Sequence, residues 1–442
     1  MTKKTQKIGL LVSTSLVIGN MIGAGIFVLP ASLAKYGGIS ILGWIFSAAG
    51  ALILAKVFSN FSKILVGRSG GPYTFSQAGF GDFIGFLVAW GYWISCWVGN
   101  AAIALAAISA LSFFFPVLET NANYAILAGL SLIWFLTWIN SRGIKESGKI
   151  QILTTVLKLI PLVLIILMGA FFFSVETFPE FNLTGESNLA IFPVVAVLTL
   201  YAFLGIESAT IPAGNVKDPE VTVPRATMLG TIITTLVYIL STIVLFGIIP
   251  NEVLSESPTP FADAGELIGG KYVGYLVAAG AAIAAIGALN GWILITGQMS
   301  MAMAKDDLFP KLFKKSNSNG APLIGLIIGS VLTSALMLMN FTEGLVDQFE
   351  FALLLTTLTC LVPYLFVSAS YVLVLIEKKF NAGSFLKTFT LGILGFAYSM
   401  WSIYGSGQET VFYGFLLLFS GVPIYLIMKW NHKKDSGKEL EK

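Results

Sequence analysis

Two residues in this sequence carry charge where charge is costly. Glu207 closes the string Gly205-Ile206-Glu207 inside a long apolar run, and Lys158 stands about eight residues into another. An ionisable side chain at membrane depth costs about 2.5–3.5 kcal/mol on insertion scales, so it is normally paired or functional. Glu207 is either functional or a structural carboxylate tying its segment to a neighbour. Lys158 is too deep for easy snorkelling and has no acidic residue near it in sequence. Its ammonium could load and unload a proton, or stand as a permanently charged staple. Half a chain apart, Gly23-Ala24-Gly25 and Gly205-Ile206-Glu207 interrupt apolar segments. A broken helix leaves backbone groups unpaired, which a bilayer tolerates only where they line a cavity or bind something. A matched pair of breaks points to a substrate site near the midplane; close packing of small residues is the alternative.

The elements that hold these residues follow from composition. Of 442 residues, 56% are hydrophobic and 11% charged, against roughly 25% charged in soluble domains. The sequence is therefore that of a multi-pass, all-α membrane protein. Apolar runs of membrane length predict twelve spans: 8–34, 39–62, 83–115, 122–140, 150–174, 189–212, 226–250, 273–304, 321–341, 349–376, 384–405 and 409–430. Of the 26 Lys and Arg, 23 fall in loops and helix ends predicted to lie on one side, which places both termini in the cytoplasm. The net charge of +3 is accounted for by this asymmetry and gives no reason to expect nucleic acid. The first apolar stretch follows Lys3, Lys4 and Lys7. It is too long for a signal peptide and is read as retained.

No linker divides the chain. Helices 1–5 (about 8–174) and 6–10 (about 189–376) each open on a broken helix, and five spans per unit inverts the second against the first. Helices 11–12 (about 384–430) are peripheral, and 431–442 is a cytoplasmic tail. Cys96 and Cys360 lie in apolar segments and His432 is the lone histidine, so neither a disulfide framework nor a histidine metal site is expected. No cofactor is implied, and no Ser/His/Asp cluster marks an enzyme.

Backbone N–H groups at a half-helix start can hold a carboxylate, and Ile22, Gly23, Ala24 and Gly25 are the candidates. Carbonyls where a half-helix ends suit an ammonium; Phe203, Leu204 and Ile206 are placed to supply them. Trp292 and Tyr201 are the aromatic faces available to an aliphatic stem or a guanidinium.

Four ordered strings carry a resemblance. Gly19-Asn20-Met21-Ile22-Gly23-Ala24-Gly25-Ile26-Phe27 with Pro30, Gly70-Gly71-Pro72-Tyr73, Asn215-Val216-Lys217-Asp218-Pro219 with Val223-Pro224-Arg225-Ala226-Thr227, and Asp307-Leu308-Phe309-Pro310 resemble the amino acid–polyamine–organocation transporter superfamily. Tyr92-Trp93-Ile94-Ser95-Cys96-Trp97-Val98-Gly99-Asn100, Gly291-Trp292 with Gln298, and Val362-Pro363-Tyr364-Leu365 are similar to its basic amino acid/polyamine antiporter branch.

The resemblance implies a five-plus-five inverted repeat with helices 1 and 6 broken. It implies a substrate site that also includes Asn20, Ser95, Cys96, Asn100 and Thr356, and a gate of Tyr92, Glu207, Trp292 and Tyr364 that loosens when the outer path opens. The arginine/agmatine branch has tryptophan where this chain has Tyr201, and a small apolar residue where it has Lys158. In proton-coupled relatives a lysine at that place is held to bridge helices 1 and 8. The implied activity is exchange of a cationic amino acid for its amine by alternating access. A proton-coupled importer of neutral amino acids and a non-transporting sensor are the alternatives. The implied setting is the plasma membrane, with lipid, a small amino acid or amine, and a second copy of the chain as candidate partners.

Overall fold

The structure is a computed structural model that describes residues 7–23, 25–257, 259–339, 345–377 and 382–430, with the backbone alone at 345–355, 357, 382–384, 409 and 410. Among these residues the chain is all-α: α1 (Leu10–Met21), α2 (Gly25–Ala34), α3 (Ile39–Ile64), α4 (Pro72–Ser112), α5 (Val117–Thr120), α6 (Ala122–Ser141), α7 (Ile144–Gly169) and α8 (Asn188–Tyr201). Then come α9 (Pro219–Ile248), α10 (Asn251–Glu256), α11 (Pro260–Gly269), α12 (Lys271–Lys305), α13 (Leu323–Met339), α14 (Leu345–Glu377), α15 (Ala382–Gly405) and α16 (Gln408–Phe419). Eight described helical segments are long and apolar enough to cross a bilayer, and α1 with α2, bent by 41° at their break, makes a ninth. Shorter apolar helices are α8 and α13.

Several boundaries differ from the hydropathy profile, and three of them have a clear local reason. The third span begins at Pro72 rather than 83, because proline at the first helical position needs no N–H partner and presets φ. Gly81, at φ 77°, then kinks the helix where it enters the apolar run. The fifth begins at Ile144 rather than 150. Its charged first turn reads as loop, yet Lys149 and Glu146 pair at 2.7 Å one turn apart. The sixth helix ends at Tyr201, and turns carry the chain from Ala202 to Pro212.

Helix contacts come in matched sets. α1 packs on α9 as α3 packs on α8, and α4 packs on α14 as α12 packs on α7. Three further pairs, α3 with α9, α4 with α12, and α6 with α13, are their own counterparts. These are the contacts that two equivalent five-helix units would make.

One end of the molecule is tied by polar contacts between segments far apart in sequence. Ile8 N–H donates to Asn215 O (2.8 Å) and Lys217 N–H donates to Ile8 O (2.9 Å), and Gly70 N–H reaches Ile211 O at 2.9 Å. Arg68 meets Asp306 at 3.3 Å, Tyr73 OH donates to the same carboxylate at 3.0 Å, and Lys429 meets Asp82 at 2.9 Å. Both ends of the described chain therefore lie at this basic end. Below it, Trp44, Phe203 and Tyr238 pack ring to ring (centroids 5.0 to 5.9 Å) in the core that supports the two breaks.

Candidate substrate site at two broken helices

Stopping α1 at Met21 strips its last carbonyls of helical partners, and side chains from three other helices take them. Lys158 Nζ (α7) donates to Gly19 O at 2.8 Å and to Ile22 O at 2.5 Å. Trp292 Nε1 (α12) donates to Asn20 O at 3.3 Å. Tyr238 OH (α9) stands 2.7 Å from Met21 O and 3.0 Å from Ala202 O, so one hydroxyl bridges the two breaks. The first-turn N–H groups of α2, those of Gly25, Ile26 and Phe27, find no acceptor among the described residues. This side of the site presents donors, the polarity a carboxylate needs. Of the other donors expected from the sequence, Ile22 N–H and Gly23 N–H are instead taken by Ile18 O (2.8 Å) and Met21 O (3.0 Å), because the last turn of α1 closes on itself, and Ala24 lies outside the described residues.

The second break is complementary. Gly205 turns the chain at φ 109°, a conformation that favours glycine. Among the described residues the carbonyls of Phe203, Leu204 and Ile206 accept no hydrogen bond. These are acceptors for an ammonium. The breaks abut: Asn20 Nδ2 donates to Ser208 Oγ at 2.9 Å, and a Cβ on Gly205 would stand 3.2 Å from Asn20 Cβ. A Cβ on Gly291 would collide with Asn20 Oδ1, so α12 reaches α1 only because that position is glycine. Tyr201 is half-buried, its ring 3.9 Å from where a Cβ on Gly25 would sit.

Glu207 follows immediately. It is fully buried, and both carboxylate oxygens accept: Oε1 from Tyr92 OH of α4, and Oε2 from Tyr364 OH of α14 at 2.5 Å. Gly205 N–H donates to the Tyr364 hydroxyl oxygen at 3.3 Å. The rings of Tyr92 and Trp292 lie 6.4 Å apart. Thus all four gate residues named from the sequence meet at one place. Ser95 Oγ donates to Tyr92 O (2.7 Å), and Cys360 Sγ donates to Ser95 Oγ (3.3 Å), bracing the Tyr92 turn.

Asn100, Thr356 and Cys96 occupy the adjoining seam of α4 with α12 and α14. Asn100 Nδ2 donates to Thr296 Oγ1 at 3.2 Å, and Thr356 Cγ2 lies 3.4 Å from where a Cβ on Gly99 would stand. Cys96 is buried on the same helix. Lys158 is on the far side of α1, and among the described residues its hydrogen bonds go to α1 alone, with none to α12. The first helix is joined to α12 directly by Trp292 Nε1 and Asn20 O, and indirectly through α7, where Asn290 Nδ2 of α12 donates to Gln151 Oε1 (3.0 Å) and Gln151 Nε2 donates to Ser15 O (3.3 Å). Gln151, Thr155 and Lys158 form one polar stripe of α7 along α1.

Sequence reasoning missed this stripe and Tyr238. The signal for Tyr238 was present, since a buried tyrosine hydroxyl in an apolar span must find an acceptor. Among the described residues no group of three or more His, Cys, Asp or Glu could hold a metal ion.

Comparison with known proteins decides the family. The model for the amino acid permease family matches residues 8–427. The chain belongs to that family. Curated relatives agree along nearly its whole length: an arginine/agmatine antiporter of Chlamydia pneumoniae is 32% identical over 99% of this chain and 92% of its own. An arginine/ornithine antiporter of Pseudomonas aeruginosa is 33% identical, covering 96% and 91%. A cadaverine/lysine antiporter of Escherichia coli K12 is 37% identical over 82% of each chain. This permease is thus a multi-pass membrane protein among relatives that are antiporters and not enzymes.

Proposed function

We propose that this permease exchanges a cationic amino acid for a related amine or diamine by alternating access. The observation that carries the reading is the pairing of free N–H groups at the start of α2 with free carbonyls after α8, side by side at the two breaks. An α-amino acid is a carboxylate and an ammonium a few ångströms apart, and this pair of half-helix ends has that polarity. The remaining wall offers Trp292 and Tyr201 to an aliphatic stem or cation. The similarity to three antiporters of basic amino acids and amines supports the cationic substrate.

In this reading Glu207, Tyr92 and Tyr364 form the gate, with Trp292 between gate and substrate. The chain enters α8 from the end opposite the basic loops and passes Gly205 before Glu207. The carboxylate therefore lies on the basic-end side of the break, and the path it closes is the one to that end rather than the outer path. Lys158, holding Gly19 O and Ile22 O, acts as a staple for the end of α1. We further assign twelve spans in two inverted five-helix units, about 8–174 and 189–376, with the last two helices peripheral. The basic end then faces the cytoplasm of the cell that bears the protein in its plasma membrane.

Purified protein in liposomes tests the reading. Vesicles preloaded with arginine, lysine, ornithine, agmatine, cadaverine, putrescine, alanine or nothing are offered each labelled compound. Uptake confined to vesicles preloaded with a basic amino acid or diamine is expected. Uptake of neutral amino acids into empty vesicles under a pH gradient would replace exchange with proton-coupled import.

A further inference from the structure

On the lipid-facing surface near the basic end, three lysines stand within helices with no acidic partner. Lys56, Asn60 and Lys63 follow one another at spacings of four and three, so they form one stripe of α3. Lys56 and Lys63 are exposed, whereas Asn60 turns inward and donates to Tyr371 OH of α14 at 3.0 Å. Thr388 of α15 hydrogen-bonds the same tyrosine, and its neighbour Lys387 is exposed. The node Asn60–Tyr371–Thr388 thus joins three helices at one level, and two of those helices carry the three exposed lysines, Lys56 and Lys63 on α3 and Lys387 on α15. The register agrees higher up, where Tyr398 OH donates to Ser47 O at 3.3 Å.

Several other basic residues at this end are engaged: Arg142 over the Trp138 ring, Lys149 with Glu146, Arg68 with Asp306, Lys314 with Asp307 and Lys429 with Asp82. Lys56, Lys63 and Lys387 have no such partner among the described residues. The nearest carboxylate by sequence is Glu377 at the end of α14, which is exposed and makes no ion pair with them. Lys56 is eight residues from the end of α3, about 12 Å along the helix axis. Its ammonium must therefore extend along the lipid-facing surface to reach the headgroup level.

We propose that the surface where α15 packs on α3 binds the phosphate headgroup of an anionic phospholipid through Lys56, Lys63 and Lys387. A water-borne phosphate lacks the acyl chains that would hold it beside Lys56, whereas a lipid of the same leaflet brings both the charge and the depth. Each lysine near an anionic surface contributes on the order of a fivefold gain in affinity, so three together give roughly a hundredfold. The site rests on the membrane-spanning character of the chain and not on the transport reading.

The test uses the full-length protein in a neutral detergent, titrated with phosphatidylglycerol, phosphatidylcholine or glycerol phosphate, and read by native mass spectrometry and by melting temperature. Wild type is expected to retain phosphatidylglycerol in preference to phosphatidylcholine and to melt higher with it. K56Q/K63Q/K387Q should lose that preference, while K35Q/K271Q, at the opposite end, should keep it. If the glutamine variant does not fold in lipid-free detergent, K56R/K63R/K387R and the three single glutamine changes take its place: the arginine variant should retain the lipid and each single change should weaken it. Equal retention by wild type and the charge-removed variants overturns the site. An equal melting shift from glycerol phosphate would make the ligand a free phosphate and overturn the lipid assignment.

Discussion

At the residue scale, the pair of buried charges identified at the outset divides into two kinds of work. The side chains that hold Glu207 are two tyrosine hydroxyls from different helices, Tyr92 of α4 and Tyr364 of α14, which suits a contact that is made and broken. Glu207→Gln keeps the shape, its oxygen accepting from one tyrosine and its NH2 donating to the other, but it removes the negative charge that strengthens both contacts. Exchange should fall at least tenfold with the melting temperature nearly unchanged, read by uptake into preloaded vesicles and by thermal denaturation. An unchanged rate would leave the carboxylate a structural tie. Lys158 instead holds two backbone carbonyls. Lys158→Ala leaves both unpaired, at about 1–3 kcal/mol each, so exchange and net uptake should fall together with a clear drop in melting temperature. Loss of gradient-driven accumulation alone, with exchange intact, would show that its proton is carried.

At the element scale, the breaks depend on glycines that admit a neighbour. Gly205 combines φ 109° with Asn20 packed against it. Gly205→Ala should therefore weaken substrate binding on the order of tenfold or more. Isothermal titration of the purified variant would show it, and wild-type affinity in Gly205→Ala would mean that the turn relaxes freely.

The positions of both breaks could be read in the sequence because a bilayer penalises unpaired backbone, making Gly23-Ala24-Gly25 in one apolar run and Gly205 just before the charged Glu207 in another conspicuous. Where α8 stops could not. Tyr201-Ala202-Phe203-Leu204 is as apolar as the helix before it, and what ends the helix is tertiary, with Tyr238 of α9 drawing off Ala202 O. The start of α7 was hidden for the opposite reason, since Lys145, Glu146 and Lys149 read as loop while forming a helical turn. The tyrosine partners of Glu207 were recoverable only through the resemblance, because Tyr92 and Tyr364 are two of 14 tyrosines and nothing local marks them as its partners.

At the scale of the whole molecule, the basic end is closed by contacts between segments that alternating access must separate. Asp306 receives Arg68 and Tyr73 together. Asp306→Asn removes the charge that Arg68 needs, and a partly exposed ion pair contributes up to about 1 kcal/mol. The closed form should lose that much, so alkylation of the buried Cys360 by a small thiol reagent should speed up by as much as about fivefold. No change in rate would show that the latch is not what keeps this end shut.

The short backbone bridge at Ile8 has a mechanical consequence. Ile8 precedes the first broken helix and Val216 follows the second, and two hydrogen bonds join the flanking chain. Whatever swings at this end must either tear both bonds or carry the two inner half-segments as a single lever, leaving one hinge where the topology offers two. Parallel neighbours in such a bridge are within disulfide reach, so oxidised I8C/V216C should still exchange substrate at the wild-type rate. Arrest on oxidation, relieved by reduction, would mean that the two arms part company in every cycle.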